Sequence, residues 1–162
     1  MSNIAGGAPT DLLKPTPPDN AWTLTLPADP NAPIPLFHTG DTGKFVKAIV
    51  LHREGLLGKR FLGATAYVTA QEILSTFKKL YPEAGKAARY FQIPEEMFRA
   101  FMKSQGAPDH VISELYENLM LFQEFGYYGG ESLDETHKLV DEPLTGWEEY
   151  AQNIAEGFKV LK

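Results

Sequence analysis

The sequence predicts an α/β fold, rich in helix and with a few short strands. Three observations carry this. Apolar residues recur at three- and four-residue spacing in five separate segments, the mark of helices with one inward face. Short runs of β-branched, aromatic and aliphatic residues stand between several of them. With 162 residues, 43% of them hydrophobic, the chain is long and apolar enough for one core.

Residues 1–35 hold eight of the twelve prolines, and proline removes donors and fixes φ. This segment is expected to be an extended, mobile loop carrying one short strand, "WTLTL", at Trp22–Leu26. Residues 36–162 are expected to form the second unit. "IPLF" (Ile34–Phe37) is another strand candidate. "HTGDTGKFVKAIVLHRE" then brings glycine, lysine and a helix start together. A phosphate loop needs a glycine five residues before its Gly-Lys pair and a hydroxyl residue after it. Here His38 and Phe45 stand at those positions, so the stretch reads instead as a helix over 41–54. Asp41 or Thr42 is its cap, with Phe45, Ala48, Ile49 and His52 facing inward.

"RFLGATA" (Arg60–Ala66) reads as a strand. "TAQEILSTFKKLY" reads as a helix with Thr69 as N-cap, Glu72 completing a capping box, and Ile73, Leu74, Phe77 and Leu80 inward. "KAARYFQIP" (Lys86–Pro94) is a further strand. Pro94 opens the next helix and Gly106 lies past its end. The longest helix follows, with Ile112, Leu115, Leu119 and Phe122 on one side. The last carries Trp147, Tyr150, Ile154 and Phe158. Phe45, Ile49, Ile73, Phe77, Leu115 and Leu119 are the expected core. The strands near Trp22–Leu26, Arg60–Ala66 and Arg89–Ile93 should leave open sheet edges, which favour self-association.

The net charge of -6 argues against a nucleic-acid surface. Without cysteine there are no disulfides or thiolate metal sites, and His38, His52, His110 and His137 lack metal-ligand spacing, so no metal is expected. No apolar run reaches membrane length and no signal peptide is visible, so no membrane association and a soluble, cytoplasmic protein are expected. No dinucleotide glycine fingerprint, no nucleophile elbow and no tyrosine followed at helical spacing by lysine occurs. Glu95-Glu96 and Glu148-Glu149 sit where first helical turns favour acids. The residues alone identify no catalytic group. "EFGYYGG" stands out: Gly126 ends a helix, and two tyrosines precede a Gly129-Gly130 turn, an arrangement that suits a pocket wall or a core edge.

Several pieces, in order, resemble the C-terminal portion of the NmrA-like family of atypical short-chain dehydrogenase-like proteins. They are "MSN", "WTLTLP", "PIPLFHTGDTGKFVKAIV", "ATAYVTAQEI", "RYFQIPEEMF", "EFGYYGG" and "LTGWEEY". The resemblance implies the C-terminal, substrate- and partner-side lobe of an NAD(P)-binding Rossmann-like fold. The glycine-rich loop would lie in a preceding N-terminal half, as in a truncated relative. It places Ser2 and Asn3, with Gly6 and Gly7, beside the cofactor, and Tyr127 and Tyr128 near the substrate cleft. Complete members use NADP; for this chain alone no cofactor is expected. Three functions follow from the likeness. One is a truncated NADP-dependent oxidoreductase-like protein, in the setting of fungal secondary metabolism. Another is a non-catalytic regulatory module that senses dinucleotide and contacts a protein, where a nuclear location fits. The third is a cofactor-free isomerase or cyclase acting on a small molecule.

Overall fold

The computed structural model describes residues 1, 4–5 and 11–153. The chain begins with β1 (Leu13–Thr16), β2 (Ala21–Leu26), β3 (Ile34–Leu36), α1 (Thr42–Leu51) and α2 (Arg53–Leu56). β4 (Ala66–Val68), α3 (Ala70–Leu80), α4 (Pro82–Gly85) and β5 (Arg89–Gln92) follow. The last four helices are α5 (Glu95–Ser104), α6 (Asp109–Glu124), α7 (Asp134–His137) and α8 (Trp147–Asn153).

β2 is the centre of a three-stranded sheet. β1 pairs with it antiparallel, setting Leu13 opposite Leu24 and Pro15 opposite Trp22. β5 pairs with its other side in parallel, from Thr23 opposite Arg89 to Leu26 opposite Gln92. β3 and β4 make a separate antiparallel pair. Flanked on both sides, β2 has no free edge, contrary to expectation; within the described residues the outer side of β5 stays open. β1 was not foreseen in the proline-rich stretch. It is an edge strand, where a residue without an N–H is tolerated. Across the sheet, the Arg89 guanidinium grips both oxygens of Asp19 at 2.7 and 3.0 Å. That contact, with the Ala21 N–H, holds the Asp19 carboxyl at about 2.

α3 covers the sheet for local reasons. Thr69 Oγ1 accepts from the Glu72 N–H at 3.1 Å, and the Glu72 carboxylate accepts from the Thr69 N–H at 2.7 Å. The helix then buries Ile73, Leu74 and Phe77 against Trp22, Leu24 and Leu26. α8 closes the other side of α3 with Trp147 and Tyr150, and Trp147 Nε1 donates to the Ile73 carbonyl at 3.3 Å. Ile154 and Phe158 lie outside the described residues.

Three further expectations are corrected. Arg60–Ala66 is not a strand; pairing begins only at Ala66. The Leu62 N–H goes to Thr136 Oγ1 at 3.1 Å and the Ala64 carbonyl meets His137 Nε2 at 2.9 Å, so α7 takes the groups a neighbouring strand would have used. Ile49 and Leu115 are each 40% exposed, because α1 packs through Phe45 and Ala48, and α6 fully buries only Ile112. Leu119 is half-buried against the core. Neither Asp41 nor Thr42 caps α1 with its side chain. The Thr42 hydroxyl instead donates to the Thr39 carbonyl at 2.7 Å. The Asp41 carboxylate, 2% exposed, reaches the segment before α8: it accepts from the Thr145 N–H at 2.7 Å and pairs with Lys44 at 2.6 Å.

Candidate functional site

The most unusual local geometry follows α6. Gly126, Gly129 and Gly130 all have positive φ, at 68°, 67° and 76°, so the chain reverses where residues with a Cβ would be strained. The Gly129 N–H closes the turn onto the Gly126 carbonyl at 2.9 Å. A Cβ at Gly126 would also come within 3.2 Å of the Gly130 backbone nitrogen. Gly126→Ala should therefore cost about 1–2 kcal/mol of stability. By contrast Gly43→Ala, in open space on α1, should be neutral or stabilise by up to about 1 kcal/mol. Urea melts of the two variants check the pair; equal effects would mean the turn is not strained.

The turn displays aromatic rings. Tyr127 is half exposed and packs edge-on to Tyr128, with ring centroids 5.0 Å apart. Phe122 backs Tyr127 at 5.9 Å. Tyr128 in turn meets Tyr67, from β4, at 6.4 Å and 68°. The Tyr67 hydroxyl donates to the Glu131 carbonyl at 2.9 Å. Arg60 forms an ion pair with the Glu131 carboxylate, tying the turn to the segment before β4. Leu62, Ala64 and Leu133 are buried beneath this arrangement.

Burial pushes the Tyr67 hydroxyl up from its ordinary value. The Tyr128 hydroxyl is also raised, by burial first and then by the two neighbouring tyrosines. Raised hydroxyls stay protonated at neutral pH. They can donate hydrogen bonds, but they are poor proton acceptors. The patch can thus stack a planar group and offer the Tyr128 hydroxyl to its edge, the Tyr67 proton being held by the Glu131 carbonyl.

Tyr127 and Tyr128 stand together in this patch. Ser2, Asn3, Gly6 and Gly7 lie outside the described residues. The nearest described residues, Ile4 and Ala5, are buried, and Tyr150 donates its hydroxyl to the Ala5 carbonyl at 3.0 Å. Tyr67 and Arg60 were missed because the sequence gives no local signal that joins them to residues 128–131. Among the described residues no cluster of three metal-ligating side chains occurs, and no helix is long and apolar enough to cross a membrane.

Comparison with known proteins gives the arrangement its context. No curated protein sequence matches the chain. Among solved structures, a double-mutant NmrA aligns over 91% of this chain and 49% of its own, with TM-score 0.59 and 20% identity. NmrA described as a negative transcriptional regulator in complex with NADP aligns over 91% and 48%, with TM-score 0.56 and 20% identity. A monoclinic form of the same regulator gives TM-score 0.55 at 19% identity. The fold is therefore the Rossmann-like α/β fold of NmrA, and the chain spans about half the length of those proteins. The profile of the NmrA-like family matches residues 1–151, nearly the whole sequence, and the chain belongs to that family.

Proposed function

We propose that this chain serves as the partner- and substrate-side lobe of an NADP-linked NmrA-type protein, with a binding role rather than a catalytic one, in the cytoplasm or nucleus. The observation that carries this reading is the state of the tyrosine patch. Tyr67 and Tyr128 have hydroxyls raised by burial, and the Tyr67 hydroxyl already donates to the Glu131 carbonyl. A tyrosine that transfers a proton near neutral pH needs a lowered pKa, which a neighbouring cation would give. Here the rings are set for contact: both are half-buried, Tyr128 beside the glycine turn and Tyr67 on β4. The likeness to a negative transcriptional regulator that binds NADP supports the same reading.

A second reading is a truncated NADP-dependent oxidoreductase-like protein, of the kind found in fungal secondary metabolism. The Tyr67–Tyr128 pair favours it, because edge-to-face rings with the Tyr128 hydroxyl beside them would suit an oxygenated aromatic substrate.

Backbone N–H groups of a glycine-rich loop normally hold the pyrophosphate of a dinucleotide, and this sequence contains no such loop. Calorimetric titration of the chain with NADP should therefore give no binding in the low-micromolar range. NADPH consumption with a panel of quinones and carbonyl compounds should stay at background. Turnover that disappears in Tyr128→Phe would overturn the binding reading in favour of the second.

A further inference from the structure

Two open clefts share no lining residue with each other and flank the tyrosine patch, the first at Arg60 and the second at Phe125. One, of about 880 Å³, runs between the end of α1, α2 and α7. Its walls carry Arg53, Lys59, Arg60 and Lys138 against two carboxylates, Glu54 and Glu135. Lys138 pairs with Glu135 at 2.5 Å and Arg60 with Glu131, whereas Arg53 and Lys59 form no ion pair among the described residues. Apolar groups stand among these charges. Val50 and Leu51 are 57% and 62% exposed, and neighbouring Leu57 reaches 80%.

The other cleft, of about 740 Å³, lies on the α5–α6 hairpin. It carries Glu95, Glu114, Glu117 and Glu124 and no cation. Glu95 pairs with Arg99 at 2.7 Å; the other three form no ion pair among the described residues. Met120, Leu121 and Phe125 supply its apolar part, and Phe125 is 67% exposed.

We propose that these surfaces are the two halves of one contact between copies of this chain, the acidic hairpin of one copy seating in the basic cleft of the next. The two are opposite in charge, and both mix exposed aliphatic or aromatic groups with unpaired ions. Complementary potentials of this kind set register and speed association, while apolar groups at the centre supply affinity. Because the surfaces differ, the contact is head-to-tail: it propagates into a row or closes into a ring. Its occupant is chosen by the charges. The chain is acidic overall, at -6, and a second copy brings a carboxylate-lined surface to a cleft where cations outnumber carboxylates.

Sedimentation velocity of the full chain tests this at about 50 mM and about 500 mM salt, since screening shortens from above 10 Å to a few ångströms over that range. Concentration-dependent association is expected at the lower salt and a weakening of at least about tenfold at the higher. Arg53→Glu with Lys59→Glu should abolish association, as should Glu114→Lys with Glu117→Lys. An equal mixture of the two double variants should associate again, because the acidic hairpin of one meets the intact basic cleft of the other and the exchanged charges are themselves complementary. A monomer at both salts would overturn the proposal. So would association that survives both charge reversals but is lost in Phe91→Lys, which would place the contact on the open edge of β5.

Discussion

Replacing Phe77 by alanine lowers the unfolding free energy by about 3–5 kcal/mol, the range for a fully buried phenylalanine. The ring is 1% exposed, lies 5.1 Å from Trp22 on the central strand, and lies 5.3 Å from Tyr81 just past the end of α3. It therefore ties α3 and its C-cap to the central strand, and a cavity there cannot be filled by small shifts of a single neighbour. Against a total stability of about 5–15 kcal/mol for an ordinary domain, the variant should stand close to unfolding at room temperature. Leu115→Ala is the matched control. Its side chain is 40% exposed, and its removal should cost less than about 1 kcal/mol. Urea denaturation of both, with unchanged slope, measures the difference. A Phe77 effect below about 1 kcal/mol would mean that α3 does not rest on the sheet through this ring.

Asp41→Ala has the second-largest effect, about 2–3 kcal/mol at neutral pH, from the loss of charged hydrogen bonds and the groups left without an acceptor. Its carboxylate holds the Thr145 N–H and hydroxyl, at 2.7 and 3.3 Å, across a separation of 104 residues. It also fixes Lys44, whose Nζ reaches the Pro143 carbonyl at 2.6 Å. Burial alone would raise the Asp41 carboxyl. The hydrogen bond from Lys44 and those from Thr145 outweigh it, and the group is lowered from its ordinary value. A lowered carboxyl stabilises the fold above its unfolded-state pKa, near 4, and that contribution is lost as pH falls through the folded-state value. The difference in stability between wild type and Asp41→Ala should therefore be full at pH 7 and shrink steadily below about pH 4. Chemical denaturation at several acid pH values measures it. A difference that stays constant into strong acid would show that Asp41 acts by shape and not by charge.

How much was legible follows from how local each device is. The α3 capping box lies within four consecutive residues, Thr69 to Glu72, and the structure forms it as the sequence implies. β2 and β5 were also legible, since their residue types suit strands wherever those strands pair. β1 was hidden because its proline disfavours a strand in general, and only its position at an edge makes it acceptable. Arg60–Ala66 has a strand's composition, yet Thr136 and His137 claim its backbone from more than 70 residues away. Asp41 looked like a cap because the alternative acceptor role depends on Thr145, and nothing near Asp41 announces it. The tyrosine turn was visible through its glycines. Its third ring, Tyr67, was not, because it arrives from β4 by tertiary packing. Helical periodicity identified α6 but overstated how much of it is covered, as Leu115 shows: spacing reveals which residues share a face, not whether another surface lies against it.

The parallel pairing of β2 with β5 has a consequence for how the chain folds. The β1–β2 hairpin and α3 can form early, because each closes over a short stretch. β5 cannot join until the intervening helices have brought distant positions together; the Tyr90 hydroxyl meets the Leu26 carbonyl across 64 residues. Closing so long a loop costs chain entropy before any strand contact compensates for it, so docking of β5 belongs to the slow end of the folding reaction. Until then β2 has one side open and its buried-to-be Trp22 and Leu24 incompletely covered. During synthesis that interval lasts at least until Gln92 has left the ribosome, and throughout it the nascent chain presents a half-finished sheet to chaperones and to its neighbours.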